Sequence, residues 1–143
     1  MPTQSYKSHR RMVPMFHYVL FLIILGCLAV TGRMVIKNWD YPLRNLSILL
    51  TAMSVALLIS AWYLRVFALK AQDRAIRAEE NLRYFALTGK LLDKRLTVSQ
   101  VIALRFASDT EFVLLADKAA NENLSGDAIK KSIVNWKEDN YRV

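Results

Sequence analysis

Two uncharged apolar runs, joined by a short polar connector, limit what this chain can fold into. Neither residues 12–32 nor residues 45–64 contain Asp, Glu, Lys or Arg. As helices, runs of this length cover about 30 Å, which matches the hydrocarbon thickness of a bilayer. The rest of the chain is too small to surround two helices that are apolar on every side. The sequence therefore predicts two transmembrane helices rather than two core helices of a soluble domain.

The first run also has features of a cleavable signal. Arg10 and Arg11 precede it, and the stretch ILGC, which ends at Cys27, resembles a lipoprotein cleavage site. Leu25, however, is bulky where such signals usually have a small residue. We therefore expect a retained span that contains Cys27 as a packing residue, and no intrachain disulfide, because the chain has one cysteine.

Basic residues predict the orientation of the spans, because Lys and Arg beside a span stay on the cytoplasmic side. Eight flank the hairpin on the side of the termini (Lys7, Arg10, Arg11, Arg65, Lys70, Arg74, Arg77 and Arg83), and three lie in the connector (Arg33, Lys37 and Arg44). We expect residues 1–11 to be cytoplasmic and residues 33–44 to form an extracytoplasmic loop with a turn at Tyr41-Pro42. Both termini then lie on the cytoplasmic side of a bacterial inner membrane.

Aromatic and basic side chains stand where the predicted spans meet the headgroups. Trp39 and Tyr41 would lie at the outer interface, and Trp62 at the inner one. His17 lies within about two turns of the cytoplasmic end, so we expect its side chain to reach headgroups, with a proton relay as the alternative. The predicted interfacial set is Arg10, Arg11, His17, Trp39, Trp62 and Arg65.

The second helix has no break signal between Arg65 and Gly89. Its residues there are good helix formers, so we expect the helix to continue over residues 65–88 and to end at Thr88, with Gly89 in a left-handed conformation. Charged side chains at a spacing of four predict ion pairs on its solvated face, between Asp73 and Arg77 and between Glu79 and Arg83.

Small and apolar residues recur along the second helix at helical spacing. Ala52, Ala56 and Ser60 repeat every four residues, and Gly26 and Ala29 are small residues on the first span that could match them. A longer row with steps of three and four crosses the membrane boundary. The predicted helix-packing seam consists of Ala52, Ala56, Ser60, Ala68, Ala71, Ala75, Ala78, Leu82 and Phe85.

Residues 89–143, the tail, have the signals of a small helical unit. Thr97 with Gln100 and Ser108 with Glu111 match the capping-box pattern, and a third helix is expected to start at Ser125 and run through residue 137. The predicted core is Val101, Ile102, Phe106, Phe112, Val113, Leu115, Ala116, Ala119, Ile129, Ile133 and Trp136. A tail of this size is expected to lean on the long helix, a partner or the membrane.

Four stretches, RRMVPMFHYV, FALKAQDRAIRAEENLR, LTVSQVIALRFASDTEF and IKKSIVNWKEDNYRV, together resemble a small bacterial family of two-span membrane proteins of unknown function. The resemblance covers nearly the whole chain. It implies no substrate, cofactor or catalytic residue.

The residue types and their spacing also argue against a metal site or a catalytic site. Two histidines and one cysteine are too few for a metal site. Glu79 and Glu80 diverge by about 100° on a helix, so we expect both to be surface charges.

The net positive charge is unevenly distributed along the chain. Residues 1–64 hold six basic residues and one acidic residue, whereas residues 65–143 hold fourteen basic and eleven acidic residues. The excess of positive charge therefore lies near the predicted membrane, which favours anionic headgroups over nucleic acid.

The sequence thus predicts an all-α protein in which a transmembrane helical hairpin (residues 12–32 and 45–64) extends into a cytoplasmic helix and a helical tail. We expect a non-catalytic accessory, scaffolding or assembly subunit with no metal or cofactor. Its expected partners are the lipid bilayer and other membrane proteins or a second copy. The alternative is a component of a small oligomeric channel or transporter, which would need polar groups in mid-membrane. A tethered enzyme would need a cleft that this tail is too small to build.

Overall fold

A computed structural model of the chain describes residues 5–6, 12–37 and 43–139. Its regular elements are a π-helix (Met15–Leu20), α1 (Phe21–Lys37), α2 (Leu43–Thr88), α3 (Val98–Leu104), α4 (Asp109–Glu122) and α5 (Gly126–Ser132). Over these residues the only β pairing is an antiparallel bridge between Ala107 and Trp136. The all-α class is confirmed, and the predicted turn at Tyr41-Pro42 lies outside the described residues.

The chain divides into two compact units. Residues 12–68 form the first, and the described residues from Leu69 onward, together with Ser5 and Tyr6, form the second. The long helix α2 contributes its first part to one unit and its last turns to the other.

Helices in the first unit are long and apolar enough to cross a membrane, over Met15–Lys37 and within Leu43–Thr88. The first continues five residues beyond the predicted end at Gly32, and it begins with a π-helical turn that the sequence did not predict. His17 belongs to this turn: its Nδ1 lies 3.1 Å from the backbone nitrogen of Val13, and its own backbone N–H donates to the Val13 carbonyl at 2.9 Å.

The helix α2 runs without a break from Leu43 to Thr88. At about 1.5 Å per residue it is about 69 Å long. Gly89 follows with φ +72°, and its N–H donates to the Phe85 carbonyl at 2.8 Å. The predicted continuation of this helix and its end at Thr88 are confirmed.

In the second unit, α3, α4 and α5 share one core with the end of α2. Its buried members are Tyr84, Leu96, Val101, Ala103, Leu104, Phe106, Ala107, Phe112, Leu115, Ala116, Ala119, Ile129 and Ile133, with Leu92, Val113, Ala120, Leu124 and Trp136 packed against them. All of the predicted core residues except Ile102 belong to this core or pack against it. Ile102 is only half-buried, and the contribution of Tyr84 from α2 was not predicted.

Two of the three predicted helix starts have the expected side-chain cap. Thr97 and Gln100 form a complete capping box, and the Ser125 hydroxyl accepts the Ala128 N–H at 3.1 Å. The third start, at Ser108, is in the predicted place, but the predicted capping box there is wrong. The Ser108 hydroxyl lies 2.8 Å from that of Thr110 and caps no backbone N–H.

The last helix ends earlier than the sequence predicts. α5 stops at Ser132, because the backbone that follows is held by hydrogen bonds from distant parts of the chain. The Glu111 carboxylate accepts the N–H groups of Val134 and Asn135 at 3.1 and 2.9 Å. Ser108 N–H donates to the Asn135 carbonyl at 3.1 Å, and Lys137 N–H donates to the Phe106 carbonyl at 2.7 Å. These bonds replace those of a further helical turn.

Candidate interaction surface

One face of α2 holds the tail. Ile76, Glu80 and Tyr84 are spaced by four residues, so they lie on the same side of the helix, and each is no more than 8% exposed. The tail therefore leans on the long helix, as its small size predicts.

Arg83 is the main polar link between α2 and the tail. Its guanidinium donates to Glu80 at 3.0 Å, to Asp109 at 2.7 Å and to the Ala107 carbonyl at 2.8 Å. The hydrogen bond from Arg83 lowers the pKa of the Asp109 carboxyl below its ordinary value. The predicted pair between Glu79 and Arg83 is wrong, because Arg83 turns towards the tail instead. Glu80, predicted to be a surface charge, is buried beside it.

Two more polar side chains of α2 complete this link. The Tyr84 hydroxyl donates to Asp117 at 2.9 Å, and burial together with this carboxylate raises the pKa of the Tyr84 phenol. The Asn81 side-chain oxygen accepts the Leu92 N–H at 2.9 Å. Asn81, Arg83 and Tyr84, which lie within about one turn of the helix, thus bind to separate segments of the tail. These bonds fix how the tail is rotated about the axis of α2.

The seam residues of this unit lie on the other side of α2. Ala71, Ala75, Ala78, Leu82 and Phe85 are all exposed. At about 100° per residue, the centre of this row is about 180° from the centre of the face formed by Ile76, Glu80 and Tyr84. The tail therefore leaves this part of the seam uncovered.

In the first unit, the buried side chains differ from the predicted seam. Ala52, Ala56 and Ser60 are exposed, as are Gly26 and Ala29, and Ala68 is half-buried. The buried side chains are Ile24 of α1 and Ser47, Ser54 and Ala61 of α2. The last three are small residues repeated every seventh position, a signal that the sequence contained but that the four-residue repeat obscured.

Comparison with known families adds one finding. The model of a family described as "Family of unknown function (DUF6526)" matches residues 1–143. The chain belongs to this family. No curated protein and no solved structure is significantly similar to it.

The predicted interfacial residues of this DUF6526 member are only partly described. Arg10, Arg11 and Trp39 lie outside the described residues. Trp62 is 63% exposed on α2, and Arg65 and His17 are half-buried.

Two cavities of the same DUF6526 chain lie in the second unit. One, of about 450 Å³, is lined by Arg74, Arg77, Asn81, Asp93 and Lys94 and by apolar side chains that include Leu92 and Leu96. The other, of about 310 Å³, is lined by residues of both charges: Glu79, Glu80, Arg105, Lys137, Glu138 and Asp139. Across residues 5–6, 12–37 and 43–139, no three His, Cys, Asp or Glu side chains cluster as metal ligands.

Proposed function

We propose that this protein is a two-span protein of the bacterial inner membrane that acts as a non-catalytic scaffolding or assembly subunit through helix contacts. The observation that carries the membrane part is a contrast in burial between the two units. In the first, large apolar side chains are exposed all around the helices, as Leu22, Ile36 and Leu64 illustrate at 69%, 80% and 66%. In the second unit, large apolar side chains such as Phe106 and Phe112 are buried in a common core. A bilayer would cover the first set.

A contact within the second unit supports a hairpin. The Tyr6 hydroxyl donates to Asp127 at 2.6 Å, and the Lys131 ammonium lies 5.5 Å from the centroid of the Tyr6 ring. Tyr6 precedes the first apolar helix and Asp127 follows the second. Because such a contact cannot cross a bilayer, it favours both ends of the chain on one side, and the excess of basic residues there favours the cytoplasm.

The scaffolding part rests on the exposed apolar row of α2 and on the rigid link between α2 and the tail. A row on the outside of a helix whose opposite face is occupied is accessible to a partner helix. A channel or transporter component has less support, because the Ser47, Thr51 and Ser54 hydroxyls donate to carbonyls of their own helix at 2.8 to 2.9 Å. Hydroxyls held in this way offer little to a polar path.

Two experiments test the membrane assignment. After extraction at high pH, we expect the full-length chain to stay with the membrane pellet and to keep an N-terminal tag. In a Cys27→Ala background, an impermeant maleimide added to spheroplasts should label Trp39→Cys, whereas Glu122→Cys should react only after permeabilisation. Release into the supernatant, loss of the tag or the reverse labelling pattern would overturn the proposed topology.

A further inference from the structure

The last turns of α2 carry an apolar row that is left exposed by the described residues of this unit. Its members, Ala71, Ala75, Ala78, Leu82 and Phe85, follow one another at steps of four and three residues, which is the spacing of the core positions of a coiled coil. Leu82 is 66% exposed and Phe85 is 49% exposed. Three alanines beside them would let the backbone of another helix come close.

Two charged side chains flank this row on opposite sides. On a helical projection, Arg74 lies about 60° from the centre of the row and Glu79 lies about 80° from it in the other direction. Both are exposed. Neither forms an ion pair within the described ranges, although other charged residues of this unit do.

The spacing of these two charges fits one arrangement of helices. In a parallel two-helix coiled coil, the residue just before the first core position of a heptad faces the residue five positions later on the other helix. Ala75 is such a core position, because the next core residue, Ala78, follows it after three residues. Glu79 is five positions after Arg74, so two identical helices in register would bring opposite charges together twice. The corresponding pairs before and after are Phe67 with Gln72 and Asn81 with Ala86, which add no repulsion.

We propose that the row from Ala71 to Phe85 is the contact between two parallel copies of this chain, in which Arg74 of each copy pairs with Glu79 of the other. This inference rests on the proposed function, because insertion in the same membrane gives two copies the same orientation and places their rows at the same height. Because the offset between these charges is self-complementary, a second copy pairs both of them without any other chain.

Cysteine cross-linking of the full-length chain in its own membranes tests the geometry. In a Cys27→Ala background, Ala75→Cys and Ala78→Cys should each give disulfide-linked dimers under mild oxidation, because a disulfide needs Cα atoms within about 7 Å. Arg77→Cys is the matched control: it lies on the same turn, about 120° from the centre of the row, and should cross-link little.

Charge exchange tests the register. Arg74→Glu or Glu79→Arg alone should weaken dimerisation by about fivefold or more, because each replaces two attractive pairs by two repulsive ones. The double variant Arg74→Glu/Glu79→Arg should restore it. Ala75→Glu should weaken it by about tenfold or more, because it overfills a position that has room for a methyl group.

Failure of this inference can be distinguished from failure of the proposed function. Absence of cross-links at residues 75 and 78, or a double variant as weak as the single ones, would overturn the pairing of two copies. If Ala75→Glu nevertheless removes a different membrane protein that co-purifies with the chain, the scaffolding role stands with another partner. If the chain leaves the membrane at high pH, the proposed function fails as well.

Discussion

The guanidinium carbon of Arg83 lies 4.3 Å from the centroid of the Phe112 ring. A cation over an aromatic face is stabilised by the electrons of the ring, and here the ring is fully buried in the core of the tail. The same guanidinium is held by two carboxylates, those of Glu80 and Asp109. One side chain thus joins the apolar core and the polar surface of the contact between α2 and the tail.

Replacement of Arg83 should be the most damaging change at this contact. Arg83→Ala leaves the buried Glu80 carboxylate without its cation, so we expect the free energy of unfolding of the tail to fall by about 2–4 kcal/mol. Arg83→Lys keeps the charge but loses the planar group, and should lie between this variant and the unmodified chain. Denaturant unfolding of the full-length chain in detergent, followed by hydrogen exchange in α4, measures the effect.

The control for Arg83 is Arg77→Ala. Arg77 is on the same helix, exposed and without an ion pair in the described residues, so its loss should cost less than about 0.5 kcal/mol. Equal losses for the two alanine variants would contradict the role assigned to Arg83.

The two predicted capping boxes should respond differently to the same substitution. Thr97→Ala removes the hydroxyl that caps the Gln100 N–H, and should cost about 0.5–2 kcal/mol. Ser108→Ala removes a hydroxyl that bonds to Thr110 instead, and should cost less than about 0.5 kcal/mol. The two variants should be compared in the same unfolding experiment. A larger loss for Ser108→Ala would mean that Ser108 caps α4 after all.

Glu111 should control the segment that follows α5. Glu111→Ala removes the acceptor of the Val134 and Asn135 N–H groups, which lie near the surface, so we expect a loss of about 1 kcal/mol. The amide hydrogens of these two residues should exchange much faster, while those of α3 keep their protection. Glu122→Ala, at the exposed end of α4, is the control. Unchanged exchange at residues 134 and 135 in Glu111→Ala would contradict the contact.

Acid should weaken the contact between Arg83 and Asp109. The pKa of Asp109 is lowered in the folded chain, chiefly by the hydrogen bond from Arg83, so the folded state favours the ionised carboxylate. The contribution of the Asp109 carboxylate to the free energy of unfolding is complete above its unfolded pKa of about 3.9. This contribution is lost as the pH falls through the lower pKa of the folded state.

Asp109→Asn tests this direction. We expect the variant to be less stable than the unmodified chain at pH 7, and the difference between them to shrink between about pH 4 and pH 2. The carboxyls of Asp93 and Asp127 also have lowered pKa values, through Arg95 and Lys131, so both chains should still lose stability in acid. A constant difference between the two chains over this range would contradict the assignment.

Features that depend on neighbouring residues could be predicted from the sequence. The positions of the two apolar helices follow from runs without charge, and the end of α2 follows from Gly89, which adopts the left-handed conformation at no steric cost. The starts at Thr97, Ser108 and Ser125 follow from side chains that favour the position before a helix. In each of these cases the physical cause lies within a few residues along the chain.

Only the tertiary structure decided which side of a helix binds another segment and where α5 ends. Arg83 could reach Glu79 or Glu80 along its own helix, but Asp109 and Phe112, more than twenty residues away, select Glu80 by holding the guanidinium on the side of the tail. Likewise α5 ends at Ser132, although its sequence can continue as a helix, because Glu111 binds the backbone N–H groups that follow. Local preferences differ by less than about 1 kcal/mol per residue, so a few hydrogen bonds between distant segments outweigh them.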